Sequence, residues 1–316
     1  MRKIVNADLR KSGDESLLPD LFGQTQVPPV VRRLVKSAAD IQQDVPDRAD
    51  FLHTVLCQVG MPRREQSVRT FERTSGAVSM VLEAGRLWTS KGWKDQPLPH
   101  GTRPRLVMVH ISTEAVRTRT REIEIGSSIR EFMLMLGLDP GGREHAYFKR
   151  QMEALAACRM TIGMASGGRA VTINTNPIQK FEAWLHPTGD QRVLWPGSLS
   201  LSQEFFDTLN EHAVPLDYRA LAALKHSALA LDVYTWLAHR LCRVRPVGGA
   251  KVSWDNLRGQ FGQEYADPKN FKKEFRQALR QVLAVYPDAR LEDVVGGFML
   301  YPSPPPLPKS QVTVKK

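Results

Sequence analysis

The chain has 316 residues, with 44 lysines and arginines against 33 aspartates and glutamates, a formal net charge of +11 at pH 7 and 42% hydrophobic residues. That length suits two medium domains, and the composition excludes a wholly disordered or collagen-like chain. The most apolar stretch, 221–241, is broken by Lys225, His226, Asp232 and His239, and the start turns polar before a signal-peptide core develops, so a cytoplasmic protein with no membrane span is expected.

The positive excess sits in residues 102–186 and 240–316, on either side of an acidic stretch at 187–239. With a sequence pI of 9.7, this suits a polyanionic partner, either nucleic acid or an anionic membrane surface. Cys57, Cys158 and Cys242 lie far apart with no C-x-x-C pair, which reads as free thiols rather than a disulfide framework or zinc site.

Residues 1–66 read as a flexible N-terminal arm, with Pro19, Pro28, Pro29 and Pro46 among charges and one short helical stretch near 30–41. Within it, Leu18-Pro19-Asp20-Leu21-Phe22 has the form of an apolar-acidic docking peptide, such as those that bind a sliding clamp, or of a local staple on the domain. Residues 67–93 alternate apolar and polar around glycine, which predicts strands and a hairpin. Residues 106–116 predict a helix with an apolar stripe.

One pattern then occurs twice. In the first copy, the strand 122–126 leads to a helix capped by Ser127 or Ser128 and stopped at Pro140-Gly141-Gly142. A second helix at 143–158 and a hairpin of 159–164 and 170–174 follow. In the second, a long helix at 218–243 precedes a strand at 251–254, a short helix at 255–261, a helix opened by Asp267-Pro268 and running to Val285, and a hairpin turning at Gly296-Gly297. A helix, strand, helix, helix and hairpin in that order predict an α+β fold of two tandem winged-helix domains, 67–186 and 187–301. The Pro-rich tail 302–316, with Pro302-Ser303-Pro304-Pro305-Pro306-Leu307-Pro308 and a basic tip at Lys315 and Lys316, reads as a polyproline II tether or recognition segment.

The helix 268–285 places Lys269, Lys273, Arg276 and Arg280 on one face, with Lys272 beside them, and Phe271, Phe275, Ala278, Leu279 and Val282 on the other. The apolar face can pack on the core while the cations meet phosphates and base edges, so this is the preferred DNA-reading helix. A solvated basic face is the competing reading. The first copy offers a weaker set: Arg143, Lys149 and Arg150 on its corresponding helix, Arg117, Arg119 and Arg121 after its first helix, and Arg169 at its hairpin tip.

No P-loop, H-x-H or H-E-x-x-H motif occurs, so neither a nucleotide-driven motor nor a paired-histidine metal enzyme is expected, and no cofactor is predicted. An enzyme whose site is assembled from distant residues, such as Tyr265 or Tyr286, is the remaining catalytic reading. The acidic run Asp288, Glu292 and Asp293 reads as the edge of a wing.

Two stretches carry a family resemblance. Pro104-Arg105-Leu106 with Ser112-Thr113-Glu114-Ala115-Val116-Arg117-Thr118, Glu122-Ile123-Glu124-Ile125-Gly126, Phe132-Met133 and Leu136-Gly137-Leu138 resembles the RepA-type plasmid replication initiators. So does Val214-Pro215-Leu216-Asp217 leading to Leu229-Ala230-Leu231-Asp232-Val233-Tyr234-Thr235-Trp236-Leu237. The resemblance covers about residues 70–300. It implies a non-enzymatic, iteron-binding initiator that recognises direct repeats in double-stranded plasmid origin DNA, exchanges between repressing homodimers and initiating monomers, and engages host DnaA and the replicative helicase to open the origin. A transcriptional repressor on the same fold is the alternative.

Overall fold

The computed structural model describes residues 29–89, 91–166, 168–180 and 197–307. It is an α+β structure in which every strand pairing is antiparallel. The docking-peptide candidate at 18–22, Pro19 and Pro28 of the predicted arm, and the basic tip at Lys315 and Lys316 lie outside the described residues.

The rest of the predicted arm is folded. Helix α1 (Pro29–Gln43) precedes β1 (Ala49–His53) and α2 (Thr54–Gln58), and β1 pairs with β11 (Ala213–Asp217) from Ala49↔Asp217 to His53↔Ala213. Phe51, Leu52, Val55, Leu56, Val59 and Met61 are all buried. Averaging charge and proline over residues 1–66 hid this short apolar run, which is long enough to supply one strand and one turn of helix to the core.

The region 67–95 forms two hairpins. Strands β2 (Thr70–Ser75) and β3 (Val78–Glu83) make one, and β4 (Arg86–Thr89) and β5 (Gly92–Asp95) make the other. Helix α3 (Thr102–Thr118) extends the predicted 106–116 at both ends and stops at Arg119, whose φ of 56° is left-handed and whose N–H donates to Ala115 O at 2.9 Å. Then come β6 (Glu122–Glu124), α4 (Ile129–Met135) with Ser128 as its cap, α5 (Gly142–Ala157), β7 (Arg159–Ser166) and β8 (Arg169–Thr175). The first-copy order is as predicted, but the pairing is not: β6 joins β10 (Ser198–Leu201) and β9 (Ile178–Lys180), while the β7–β8 hairpin is taken into a four-stranded sheet ordered β2-β3-β7-β8.

After α6 (Gln203–His212), the predicted long helix 218–243 is two helices, α7 (Tyr218–Leu224) and α8 (Ala228–Arg240), with a 3₁₀ turn at Leu241–Arg243. Ser227 breaks it: its Oγ accepts from Ala230 N at 3.1 Å, an N-cap that starts a new helix where an unbroken apolar count suggested one. The second copy closes as β12 (Ala250–Ser253), α9 (Trp254–Phe261), α10 (Pro268–Val285), β13 (Leu291–Val294) and β14 (Gly297–Leu300), with all three strands in one sheet ordered β12-β14-β13. Trp254, predicted as the strand's end, is instead the first residue of α9, because Ser253 Oγ caps it by accepting from Asn256 N at 3.1 Å. The hairpin turn falls at Val295-Gly296, not Gly296-Gly297. Gly296 supplies φ +87°, and Gly297 is already in the strand, where a Cβ would stand 2.0 Å from Val252 O.

The described start of the tail, residues 302–307, departs from the predicted role as a tether. Ser303 N donates to Leu241 O at 3.3 Å, Tyr286 OH donates to Pro304 O at 2.6 Å, and Leu307 is buried, so residues 302–307 pack back on the second copy.

A single apolar cluster runs through both copies. Crossing it is a buried ionic network. Arg105 on α3 donates Nε and Nη2 to Asp232 on α8 at 2.6 and 2.8 Å, and also reaches Pro62 O and Gly101 O. Arg73, fully buried, donates to Gly60 O at 2.8 Å and lies 3.4 Å from Glu264, whose other oxygen accepts from Arg63 N. Removing either partner of such a pair strands a charge in low dielectric, which makes the network a clamp between the copies.

Candidate nucleic-acid interface

Helix α10 begins as its sequence dictates. Asp267 accepts from Lys269 N at 2.8 Å, and Pro268 takes the first turn, where a missing N–H costs nothing. Phe271, Phe275, Ala278, Leu279 and Val282 are buried, and Trp254, Phe275 and Phe298 pack edge to face beneath the helix. Lys269, Lys273, Arg276 and Arg280 are exposed on the opposite side, and Lys272 is half-buried.

These five cations are not equivalent. The Arg276 guanidinium lies 4.8 Å from the centroid of the Trp254 ring, with Lys272 Nζ at 5.4 Å from the same ring. Arg276 also donates Nη2 to Asp293 of β13 at 3.1 Å, tying α10 to the hairpin. Among the described residues Lys269, Lys273 and Arg280 form no ion pair, so they are the side chains of this face whose charge is available to an external anion. The acidic hairpin edge is satisfied from within: Glu292 accepts from Tyr301 OH at 2.7 Å, a hydrogen bond that pushes the phenol pKa up. Sequence reasoning missed Trp254 as the platform for this face. The signal was present in Ser253 followed by Trp254-Asp255-Asn256, an N-cap pattern read as a strand end.

The first-copy residues are dispersed and more often engaged. Arg117 pairs with Glu114 at 3.0 Å, Arg119 is the exposed left-handed cap of α3, and Arg121 donates to Gln179 Oε1 at 3.1 Å. On α5, Lys149 faces Glu153 at 4.0 Å, while Arg143 and Arg150 are exposed on one stripe, Arg150 with its guanidinium 5.8 Å from the Tyr147 ring. Arg169 is exposed at the start of β8, paired in register with Ser166. The structure thus gathers the second-copy cations on one helix face and leaves the first-copy set on three separate elements.

Of the tyrosines weighed for catalysis, Tyr286 is buried, its hydroxyl bound to Pro304 O. Tyr265 is half-buried beneath the Arg63 and Arg64 guanidinium groups at 5.3 and 5.5 Å. Burial pushes both phenol pKa values up. Among the described residues no three His, Cys, Asp or Glu side chains come together as metal ligands would, and no helix is long and apolar enough to cross a membrane.

Comparison with known proteins gives a family match over residues 98–256, to the family described as plasmid encoded RepA protein. The match spans α3 to the first residues of α9 and so stops short of α10. No curated protein matches. Two similar solved structures are of RctB: selenomethionine derivatives of its domain 2 and domain 3, at 13% identity over 76% of this chain and 88% of that one with a TM-score of 0.48; and RctB domains 2–3, at 11% identity over 76% and 85% with a TM-score of 0.43.

Proposed function

The chain belongs to the plasmid-encoded RepA protein family, and from that premise we propose that it is a plasmid replication initiator that binds directly repeated sequences in double-stranded origin DNA. The observation that carries the proposal is the α10 face. A helix anchored by buried aromatics presents Lys269, Lys273 and Arg280 without ion-pair partners among the described residues, next to a hairpin whose strands share a sheet with β12. We read this second copy as a winged helix with α10 in the major groove and the Val295-Gly296 turn as the wing tip. We read the first copy, with Arg117, Arg119, Arg121, Arg143, Arg150 and Arg169, as supplying backbone contacts.

In this reading Lys269 and Lys273 meet phosphates, Arg280 reaches a phosphate or base edge, and Arg276 aims the wing through Asp293. The family carries the origin as the target and extends the proposal to the partners that the resemblance implies: a second copy, DnaA and the replicative helicase. The chemistry asked of the chain is binding and positioning, with no bond made or broken.

Footprinting on DNA flanking the protein's own gene, at two salt concentrations, tests it. Evenly spaced protection of direct repeats that survives the higher salt is expected. Protection that is diffuse and vanishes with salt would overturn sequence-specific binding. Lys273→Ala with Arg280→Ala should weaken repeat binding by about 1–3 kcal/mol for each base-reading side chain removed, and lower the salt slope by about 1 for each phosphate-binding cation removed. Repeat binding without replication of a plasmid carrying the site would favour a repressor.

A further inference from the structure

Trp88 and Trp93 are 59% and 61% exposed, whereas Trp236 and Trp254 are buried. They face each other in register across β4–β5, ring centroids 5.4 Å apart at 71°. Among the described residues these two strands pair only with each other, and the hairpin is seated at its base, where Gln96 N donates to Gly85 O at 3.0 Å. Gly85 lies so close to the end of α5 that a Cβ there would stand 1.9 Å from Ala157 O. The indoles therefore project from a fixed stem, and the core does not use them.

Their surroundings are cationic. Arg86 lies on the same face as Trp88 and shares Asp95 with Arg69, at 3.1 and 3.5 Å, so the hairpin's one carboxylate is already neutralised. Lys91 at the turn is exposed, with no ion pair among the described residues, while Lys94, opposite Leu87, belongs to the other face of the hairpin. Along α5, Arg143, Arg150 and Ala157 fall seven residues apart and so share one stripe, which ends at the hairpin's base.

Aromatic faces on a cationic rim fit a polyanion whose bases are free to stack. A duplex offers no such faces, because its bases are already stacked on one another. A second copy of the hairpin would meet like charge. We propose that the Trp88–Trp93 hairpin binds single-stranded DNA by base stacking, with Lys91, Arg86 and the α5 stripe contacting its phosphates. That this strand comes from an opened origin rests on the initiator reading; the binding itself does not.

The test uses the full chain and a fluorescent oligothymidylate of about 20 nucleotides, long enough to cover a stacking site. Binding should quench tryptophan emission. Trp88→Ala with Trp93→Ala should weaken it at least about tenfold, leaving the thermal midpoint and duplex-repeat affinity unchanged, while the corresponding Phe pair retains most of the affinity. Equal affinity of the Ala pair, absence of quenching, or tighter binding of an oligouridylate of the same length would overturn the proposal. So would a dimer of the wild type that the Ala pair dissolves. Loss of duplex-repeat binding with oligothymidylate binding intact would overturn the initiator reading and leave this one standing.

Discussion

The two copies share an element order and differ in how their strands pair. In the second, β12 joins β14 and β13, so the strand before the short helix and the hairpin after α10 form one sheet beneath the basic helix. In the first, β6 is claimed by β10, and the hairpin is claimed by β3, whose Val78–Glu83 edge pairs with β7 over Val78↔Met164 to Glu83↔Arg159. A strand pairs with whichever edge the rest of the chain brings near it, so equal order and spacing do not guarantee equal sheets. The charge follows the same division. The second copy leaves three cations on one face, while the first commits Arg117, Arg121 and Lys149 to its own side chains and carries its exposed indoles on a hairpin of their own.

The clamp between the copies gives the largest expected effect. Asp232→Ala leaves Arg105 buried without its carboxylate and should cost about 3–5 kcal/mol, read as a fall in the urea midpoint. If the copies fold as one unit, the transition stays single. Two transitions would show that the comparison is between independent domains.

Acid should loosen both halves. His53, wholly buried on β1 with Phe205 stacked at 5.5 Å, has its pKa pushed down to about 4 by burial, and so does His239 on α8. The unfolded chain takes those protons near pH 6.5, so stability falls as pH drops from about 6.5 to about 4, by roughly 3 kcal/mol for His53. Burial raises Asp50 to about 6, which opposes this because the folded state holds that proton longer than the unfolded one. With two such histidines against one aspartate, the net loss on acidification should persist, and His53→Gln should flatten the pH profile of the unfolding free energy.

A strand glycine of the second hairpin and a turn glycine of the first give the smallest contrast. Gly297→Ala drives a Cβ into Val252 O and should cost about 1–3 kcal/mol. Gly168→Ala meets no atom within 4 Å and bears only the strain of φ +79°, about 1 kcal/mol. Equal thermal shifts would mean that β12 and β14 can part at Gly297 without cost.

Local signals carried much of this. Asp267-Pro268 fixed the start of α10 and its period fixed which side is basic, because capping and helical geometry depend on a few adjacent residues. The candidate face was legible to the same extent, and the family was legible in two stretches. Those stretches meet: Arg105 of the first grips Asp232 of the second across 127 residues. What the sequence could not supply was partnership at a distance. The inclusion of residues 49–61 in the core, the capture of β6 by β10, the engagement of Arg276 by Trp254 and Asp293, and the exposure of Trp88 and Trp93 all depend on which surfaces meet after collapse. Burial and strand pairing are decided by the whole chain's competition for edges and apolar surface, whereas caps, turns and helix faces are decided within a few residues of themselves.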